Sequence, residues 1–116
     1  NFNASGLNGT NINNPTSLEF GPNNKLYVSQ QDGTIWEFEV ERDDASPGNG
    51  SYSIVNTNII DIIKTGTPNH NDDGTLNTTS IRQITGLLTA GTPTNPILYV
   101  TSSDWRIVGG GSARKV

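Results

Sequence analysis

The loop formed by residues 69–74 (NHNDDG) places oxygen-bearing side chains at alternate positions and ends on a glycine. This spacing matches the first half of a calcium loop of the type D-x-[DN]-x-[DN]-G, in which alternate side chains converge on one ion. The predicted metal ligands are therefore Asn69, Asn71 and Asp73. The twelfth position is Ser80 and not Glu, so the loop is not a complete EF-hand. An Asx-rich surface turn that holds no metal is the alternative.

The single histidine of the chain, His70, lies in the same loop. A catalytic base needs a pKa near the working pH and a partner that orients it. Asp72 and Asp73 follow it and are possible partners, but the polar composition of the loop is typical of a solvated segment. We therefore interpret His70 as an exposed loop residue and assign no catalytic residue to this chain.

Four side chains near the ends of two predicted strands are candidates for binding a cofactor or a sugar. Gln83 can hydrogen-bond to either ligand, and Arg82 can pair with a carboxylate. Asp104 and Arg106 flank Trp105 just after a strand end, where the indole ring is available to stack on a sugar face. The alternatives are ordinary surface positions for the first two residues, and a structural Asp turn beside a core tryptophan for the others.

The elements that must position these residues are short β-strands. Residues 34–42 (TIWEFEVER) alternate most clearly, with Trp36, Phe38 and Val40 on one face and three glutamates on the other. Residues 59–64 (IIDIIK) fit one helical turn, but their β-branched side chains favour an extended structure. The other predicted strands cover residues 16–20, 25–29, 52–58, 81–89 and 97–102.

The dipeptide Asp32-Gly33 is the strongest hairpin signal in the chain. Because glycine accepts a positive φ, the pair predicts a type I′ turn between two strands. Gln30, Gln31 and Asp32, which lead into this turn, are interpreted as structural residues.

An internal repeat groups the strands. Residues 26–29 (LYVS) recur as residues 98–101 (LYVT), and each copy follows a short apolar strand, 18–20 or 86–88, and a Pro/Asn turn. Four short antiparallel strands that are joined by tight turns and then repeated are typical of β-propeller blades. We therefore predict an all-β chain of antiparallel four-stranded blades, about one and a half of them, from the N-terminal part of a larger propeller. The predicted segments are a lead-in (1–13), a first blade (14–64), a polar insertion loop (65–80), the start of a second blade (81–108) and a flexible Gly-rich tail (109–116).

The composition limits the classes of function. Only 31% of the 116 residues are hydrophobic, so an independent core would be thin, and the remaining propeller blades are expected to complete the fold. The net charge of -4 argues against nucleic acid as a partner, because phosphate binding needs clustered Lys and Arg. The absence of cysteine excludes disulfides, thiol catalysis and zinc sites of the cysteine type. The sequence has no run of about 18 apolar residues, so no membrane insertion is expected.

Several segments together resemble the opening blade of bacterial glucose/sorbosone dehydrogenase-like proteins, and in particular an extracellular branch of that family. The resemblance covers roughly residues 11–111, and it departs from the family at Trp105, where this branch is expected to have Pro, and at residues 111–116. The segments that carry it are 14–22 (NPTSLEFGP), 26–34 (LYVSQQDGT), 68–75 (PNHNDDGT), 82–86 (RQITG) and 101–104 (TSSD).

This resemblance implies a secreted six-bladed propeller, extracellular or periplasmic, that binds pyrroloquinoline quinone (PQQ) and Ca²⁺ and oxidises a sugar or polyol. In such proteins a histidine near the quinone acts as general base, and Arg and Lys hold the quinone carboxylates. Most of these groups lie in later blades, so this chain alone is expected to be inactive. The alternative is a non-catalytic extracellular propeller that serves as a glycan- or protein-binding scaffold.

Overall fold

The computed structural model describes residues 6–43, 51–71 and 73–104. These residues are mostly β-structure, with 62% in strands and 6% in helix, which confirms the predicted all-β class. Within these ranges, no helix has the length and apolar character needed to cross a membrane. The elements are β1 (Leu7–Asn8), β2 (Pro15–Phe20), β3 (Leu26–Gln30), β4 (Ile35–Asp43), β5 (Ser51–Ile60), α1 (Ile62–Gly66), β6 (Asn69–His70), β7 (Leu76–Asn77), β8 (Arg82–Thr92) and β9 (Asn95–Asp104).

Strands β2 to β5 form an antiparallel meander within a five-stranded sheet of order β1-β5-β4-β3-β2. The short strand β1 runs parallel to β5, with Leu7 opposite Tyr52. The sheet is therefore mixed, and the prediction of purely antiparallel strands is wrong at this edge. Two further antiparallel pairs, β6–β7 and β8–β9, form separate two-stranded sheets.

The five-stranded sheet has an outer and an inner face, because side chains alternate along each strand. Leu26 lies opposite Phe38 and Val28 opposite Trp36, so these four side chains share the outer face. Leu26, Val28 and Phe38 form a buried cluster there, and Leu7 from the lead-in segment packs against it. This is the apolar face that the alternation in β4 predicts.

The inner face of the sheet packs against the β8–β9 hairpin. Tyr27, Ile35 and Ile84 form a second buried cluster, in which Ile84 is completely buried. A long-range hydrogen bond adds to this contact, since the backbone N–H of Thr89 donates to the Glu19 carboxylate over 3.1 Å. The sheet and the hairpin are therefore two β-layers stacked face to face.

The β2–β3 and β8–β9 pairs have the same register. Leu18 lies opposite Val28, and Leu87 lies opposite Val100. Leu18 is therefore structurally equivalent to Leu87.

Each of these two strand pairs also has a bulge at the same place. The register shifts on either side of Thr16 in the first pair and of Thr85 in the second. The Thr16 hydroxyl lies 3.0 Å from Oγ of Ser29, and the Thr85 hydroxyl lies 3.1 Å from Oγ1 of Thr101. The internal repeat is thus structural, and it extends to the bulge and its side-chain hydrogen bond.

The β3–β4 turn differs in type from the prediction. The backbone N–H of Gln30 donates to the carbonyl of Thr34 over 2.8 Å, and that of Gly33 donates to the carbonyl of Gln30 over 3.1 Å. Gly33 has a φ of +88°, whereas Asp32 does not have a positive φ. Since a type I′ turn needs a positive φ at both central residues, the prediction is wrong. The arrangement is that of a longer hairpin loop closed by a glycine bulge.

The segment 59–64, which was ambiguous in the sequence, divides between two elements. Strand β5 continues through Ile60, and α1 begins at Ile62. Half-buried Ile63 packs against the second buried cluster, so a tertiary contact overrides the β preference of this residue. The predicted polar insertion loop 65–80 contains the end of α1 and the β6–β7 hairpin.

Candidate functional site

Polar residues meet at the edge of the stack where β2 and β8 begin and β3 and β9 end. The backbone N–H of Gln31 donates to the carbonyl of Asn14 over 3.0 Å, and its side-chain amide donates to Oε1 of Gln83 over 3.4 Å. The Gln83 amide in turn donates to Oγ of Ser103 over 3.2 Å. We call Asn14, Gln31, Asp32, Gln83 and Ser103 the polar edge.

Gln83 is the predicted ligand-binding residue that the structure places at the polar edge. Its side chain is half-buried and connects the β8–β9 hairpin to the β3–β4 turn, while Gln31 is exposed beside it. A primary amide has two N–H donors and a carbonyl acceptor. Two neighbouring amides at an exposed edge therefore offer donors and acceptors of the kind that bind hydroxyl groups.

Asp32 fixes the β3–β4 turn at this edge. Its Oδ1 accepts hydrogen bonds from the Gln30 amide at 3.1 Å and from the Thr34 backbone N–H at 3.0 Å, and its Oδ2 pairs with Nζ of Lys64 at 2.8 Å. Partial burial raises the pKa of Asp32, but the hydrogen bonds from these three residues outweigh it and lower the pKa from 3.8 to about 2. The ionised carboxylate therefore ties the turn to α1.

Gln30 orients the same turn from inside the fold. Its buried side-chain carbonyl accepts hydrogen bonds from the Trp36 indole at 2.7 Å and from the Asn13 backbone N–H at 2.9 Å. Gln30 and Asp32 thus have the structural roles that the sequence indicates. Gln31, which was also interpreted as a structural residue of the turn, instead donates its side-chain amide to Gln83 on the β8–β9 hairpin.

Arg82 is directed away from Gln83, since successive side chains of a strand point to opposite faces. Its Nε donates to Oγ of Ser102 at 3.0 Å, and one terminal nitrogen donates to the Ser102 carbonyl at 3.3 Å. The other terminal nitrogen donates to Oδ1 of Asn69 at 3.3 Å. Asp104 lies opposite Arg82 in the strand register. Arg82 and Asp104 therefore occupy a different face from Gln83. The fourth predicted cofactor-binding residue, Arg106, lies with Trp105 outside the described residues.

The predicted metal loop forms the β6–β7 hairpin turn. The backbone N–H of Asn71 donates to the carbonyl of Thr75 over 2.8 Å, and that of Gly74 donates to the carbonyl of Asn71 over 2.9 Å. Asp73 accepts hydrogen bonds from the hydroxyl and the backbone N–H of Thr75, and these bonds hold the pKa of its carboxyl below the usual value. This is the same arrangement as in the β3–β4 turn, and both turns have the sequence Asp-Gly-Thr.

The side-chain oxygens of the other two predicted metal ligands have protein donors. Oδ1 of buried Asn69 accepts from the Arg82 guanidinium, and Oδ1 of Asn71 accepts from the Asn77 amide at 2.8 Å. A guanidinium on a ligand oxygen repels a second cation. The arrangement therefore does not fit a Ca²⁺ ion, and the Asx-rich turn accounts for the hydrogen bonds observed. His70 in this loop is exposed.

The described residues near the polar edge also do not fit PQQ. Its carboxylates require cationic groups, but the guanidinium of Arg82 is directed to Ser102 and Asn69, and the ammonium of Lys64 is directed to Asp32. Within the described ranges, no group of three or more His, Asp or Glu side chains is placed to hold a metal ion.

Comparisons with protein-family models, with curated proteins and with solved structures found no match. The assignment of the polar edge therefore depends on its geometry. Sequence reasoning missed Gln31 as a partner of Gln83, and no local pattern reveals this contact. It also missed the equivalence of the two turns, although the repeated tripeptide Asp-Gly-Thr, at residues 32–34 and 73–75, was a usable signal.

Proposed function

We propose that the chain contributes a first blade and the beginning of a second blade to a β-propeller. The meander β2 to β5 has the form of one blade. The β8–β9 pair repeats the register and the bulge of β2–β3, and it stacks on the inner face of the sheet. Strand β8 lies chiefly against β2, as the first strands of successive blades do in a propeller.

The surfaces on the two outer sides of the stack support this proposal. On the outer face of the sheet, Leu18 is 67% and Phe20 59% exposed. On the outer face of the hairpin, Leu88 is 55% and Tyr99 59% exposed. Contiguous apolar patches of this kind mark interaction sites. A propeller accounts for patches on opposite sides, because every blade is covered by a neighbour on each side.

The function that this arrangement supports best is recognition of a sugar or polyol at the polar edge, within a glucose/sorbosone dehydrogenase-like propeller. The observation that carries it is the contact between Gln31 and Gln83, which joins the two layers at an exposed edge. Their neutral amides can donate to and accept from several hydroxyl groups at once. The strand ends of adjacent blades meet at such an edge, so a ligand bound there would contact both repeats.

Quinone-dependent oxidation of the bound sugar is a further part of this proposal, and its basis is the sequence resemblance. At the polar edge the described residues provide one carboxylate, Asp32, which already pairs with the Lys64 ammonium, and the guanidinium of Arg82 is directed away from this edge. The chemistry would therefore depend on groups outside the described residues, and Ca²⁺ and a secreted location have the same basis as the quinone. A non-catalytic scaffold that binds glycans is the alternative, and it is favoured by the internal engagement of Arg82 and Lys64.

The test uses the full-length natural protein, incubated with PQQ and Ca²⁺, and measures dye reduction with a panel of aldoses and polyols. Sugar-dependent reduction supports the dehydrogenase. If no sugar is oxidised, calorimetric titration with the same panel decides between the alternatives. Binding that is lost in Gln83→Ala, but retained in the control Asn95→Ala at the opposite end of the β8–β9 hairpin, supports the scaffold. If the protein neither oxidises nor binds any of these compounds, the proposed function is wrong.

A further inference from the structure

Two tyrosines at equivalent positions of the repeat have opposite environments. Tyr27 is only 1% exposed, because the β8–β9 hairpin covers it, whereas Tyr99 is 59% exposed. On the same outer face of the hairpin, Leu88 lies opposite Tyr99 and is 55% exposed, and Ile97 is 40% exposed. Large exposed apolar side chains that lie side by side are typical of an interface. In the part of the chain that the structure describes, this face remains at the surface.

The packing inside the chain shows which surface complements such a face. The layer that covers Tyr27 presents Leu87 and Val100, which lie opposite each other in the β8–β9 pair. The residues at the equivalent positions of the β2–β3 pair are Leu18 and Val28, on the outer face of the sheet. By the same packing, the outer face of β8–β9 would be covered by the outer face of a β2–β3 pair.

The β2 strand of this chain has that outer face available. Leu18 and Phe20 are 67% and 59% exposed, whereas Val28 beside them is buried under the lead-in segment. Strand β2 is also suitably placed. Strand β8, the equivalent of β2 in the repeat, contacts the five-stranded sheet chiefly through β2. By the same packing, β2 is the strand that would contact a layer preceding the sheet. Neither surface has a carboxylate or an amine among its residues, so no charge loses its hydration when they meet.

We propose that this chain, when no further blade covers these two surfaces, associates head to tail with a second copy of itself, which takes the place of the neighbouring blades proposed above. The tail surface consists of Leu88, Ile97 and Tyr99, and the head surface consists of Leu18 and Phe20. The contact continues the stacking of β8–β9 on the sheet, with the second copy in the place of the next layer. Because the two surfaces differ, the association is heterologous: an open assembly leaves one head and one tail free, whereas a closed ring leaves neither. The proposal does not depend on sugar binding.

The test measures the weight-average mass of the purified chain by light scattering over a range of concentrations without any ligand. The mass is expected to rise from that of the 12.4 kDa monomer to at least twice this value as the concentration increases. Tyr99→Lys blocks the tail and Leu18→Lys blocks the head, so each variant alone should remain monomeric. An equimolar mixture should form a dimer and nothing larger, because it contains one intact head and one intact tail.

Leu76→Lys is the control, since Leu76 on β7 is also 59% exposed but belongs to neither surface, and it should associate as the unaltered chain does. Circular dichroism verifies that every variant is folded. A folded chain that is monomeric at all concentrations would overturn the proposal. So would association of Leu18→Lys by itself, which would show a symmetric contact between tails, or a mixture of the two variants that fails to dimerise.

Discussion

Replacing Gly33 by alanine tests whether the β3–β4 turn is held by contact with the second layer. Gly33 has a φ of +88°, and a Cβ added there would lie 2.5 Å from the carbonyl oxygen of Arg82 and 3.1 Å from Cα of Lys64. Both neighbours are backbone atoms, so a flexible side chain cannot move aside to relieve the clash. Gly74 provides a matched control, because it occupies the same place in the second Asp-Gly-Thr turn, with a φ of +84° and no atom of the described residues within 4 Å of an added Cβ.

The expected magnitudes follow from this comparison. A left-handed alanine costs roughly 1–2 kcal/mol, and a smaller entropy in the unfolded chain offsets part of that, so Gly74→Ala should lower the free energy of unfolding by about 1 kcal/mol. Gly33→Ala has the same backbone cost together with an overpacking penalty of about 1–3 kcal/mol, since the turn must separate from Arg82. We therefore expect a loss of about 2–4 kcal/mol.

The assay is urea denaturation of the unaltered chain and both variants, followed by circular dichroism. Asparagine variants separate the two contributions, because asparagine tolerates a positive φ but still has a Cβ. Gly74→Asn should then be close to the unaltered chain, whereas Gly33→Asn should remain clearly destabilised. Equal effects of alanine at Gly33 and Gly74 would show that the turn does not press against β8, and the stacking of the two layers described above would be incorrect.

Three further predictions concern the core and the charged turn. Tyr27→Phe removes the hydroxyl that donates to a carboxylate at 2.8 Å and should lower the free energy of unfolding by about 1–2 kcal/mol in urea denaturation, whereas Tyr99→Phe at an exposed position should have almost no effect. Ile84→Ala creates a cavity between the layers and should cost about 2–5 kcal/mol, against less than about 1 kcal/mol for exposed Ile81→Ala, and similar losses in the two variants would argue against a buried interlayer contact. The pKa of Asp32 is about 2 in the folded chain against an ordinary value of 3.8, so its contribution to stability is present above pH 3.8 and is lost as the pH falls through about 2. NMR titration of this carboxyl should show a midpoint near 2, and an unshifted midpoint would contradict the contacts assigned to it.

Local sequence patterns were sufficient for most of the strands. The alternation of residues 34–42 predicted β4 and its apolar face, because side chains of a strand alternate whatever it packs against. The glycine in Asp32-Gly33 predicted a turn with a positive φ, but not its type, which depends on how the flanking strands are joined. The segment 59–64 was ambiguous in the sequence, and Ile62 and Ile63 belong to α1, because Ile63 packs against the second buried cluster, which no local pattern encodes.

The candidate site was less predictable than the strands. Gln83 was identified as a ligand-binding candidate, but its neighbour Gln31 lies far from it in the sequence, and only the stacking of the two layers brings them together. Arg82 is adjacent to Gln83 in the chain, yet it occupies the opposite face and binds Asn69. The guanidinium of Arg82 donates to the predicted metal ligand Asn69. The spacing of residues within the loop does not indicate this contact, because Arg82 lies outside the loop.

By itself, the amino-acid sequence determined the β class, the positions of the principal strands and the existence of a repeat, because periodicity and turn residues act over a few neighbouring positions. The tertiary structure decided the register of the repeat, the pairing of β1 with β5 and the identity of the residues that share an edge. The physical reason is that alternation specifies which side chains share a face of a strand, whereas the partner of that face depends on contacts between distant segments. Tyr27 and Tyr99 illustrate the difference, since they stand in nearly identical tetrapeptides and one is buried while the other is exposed.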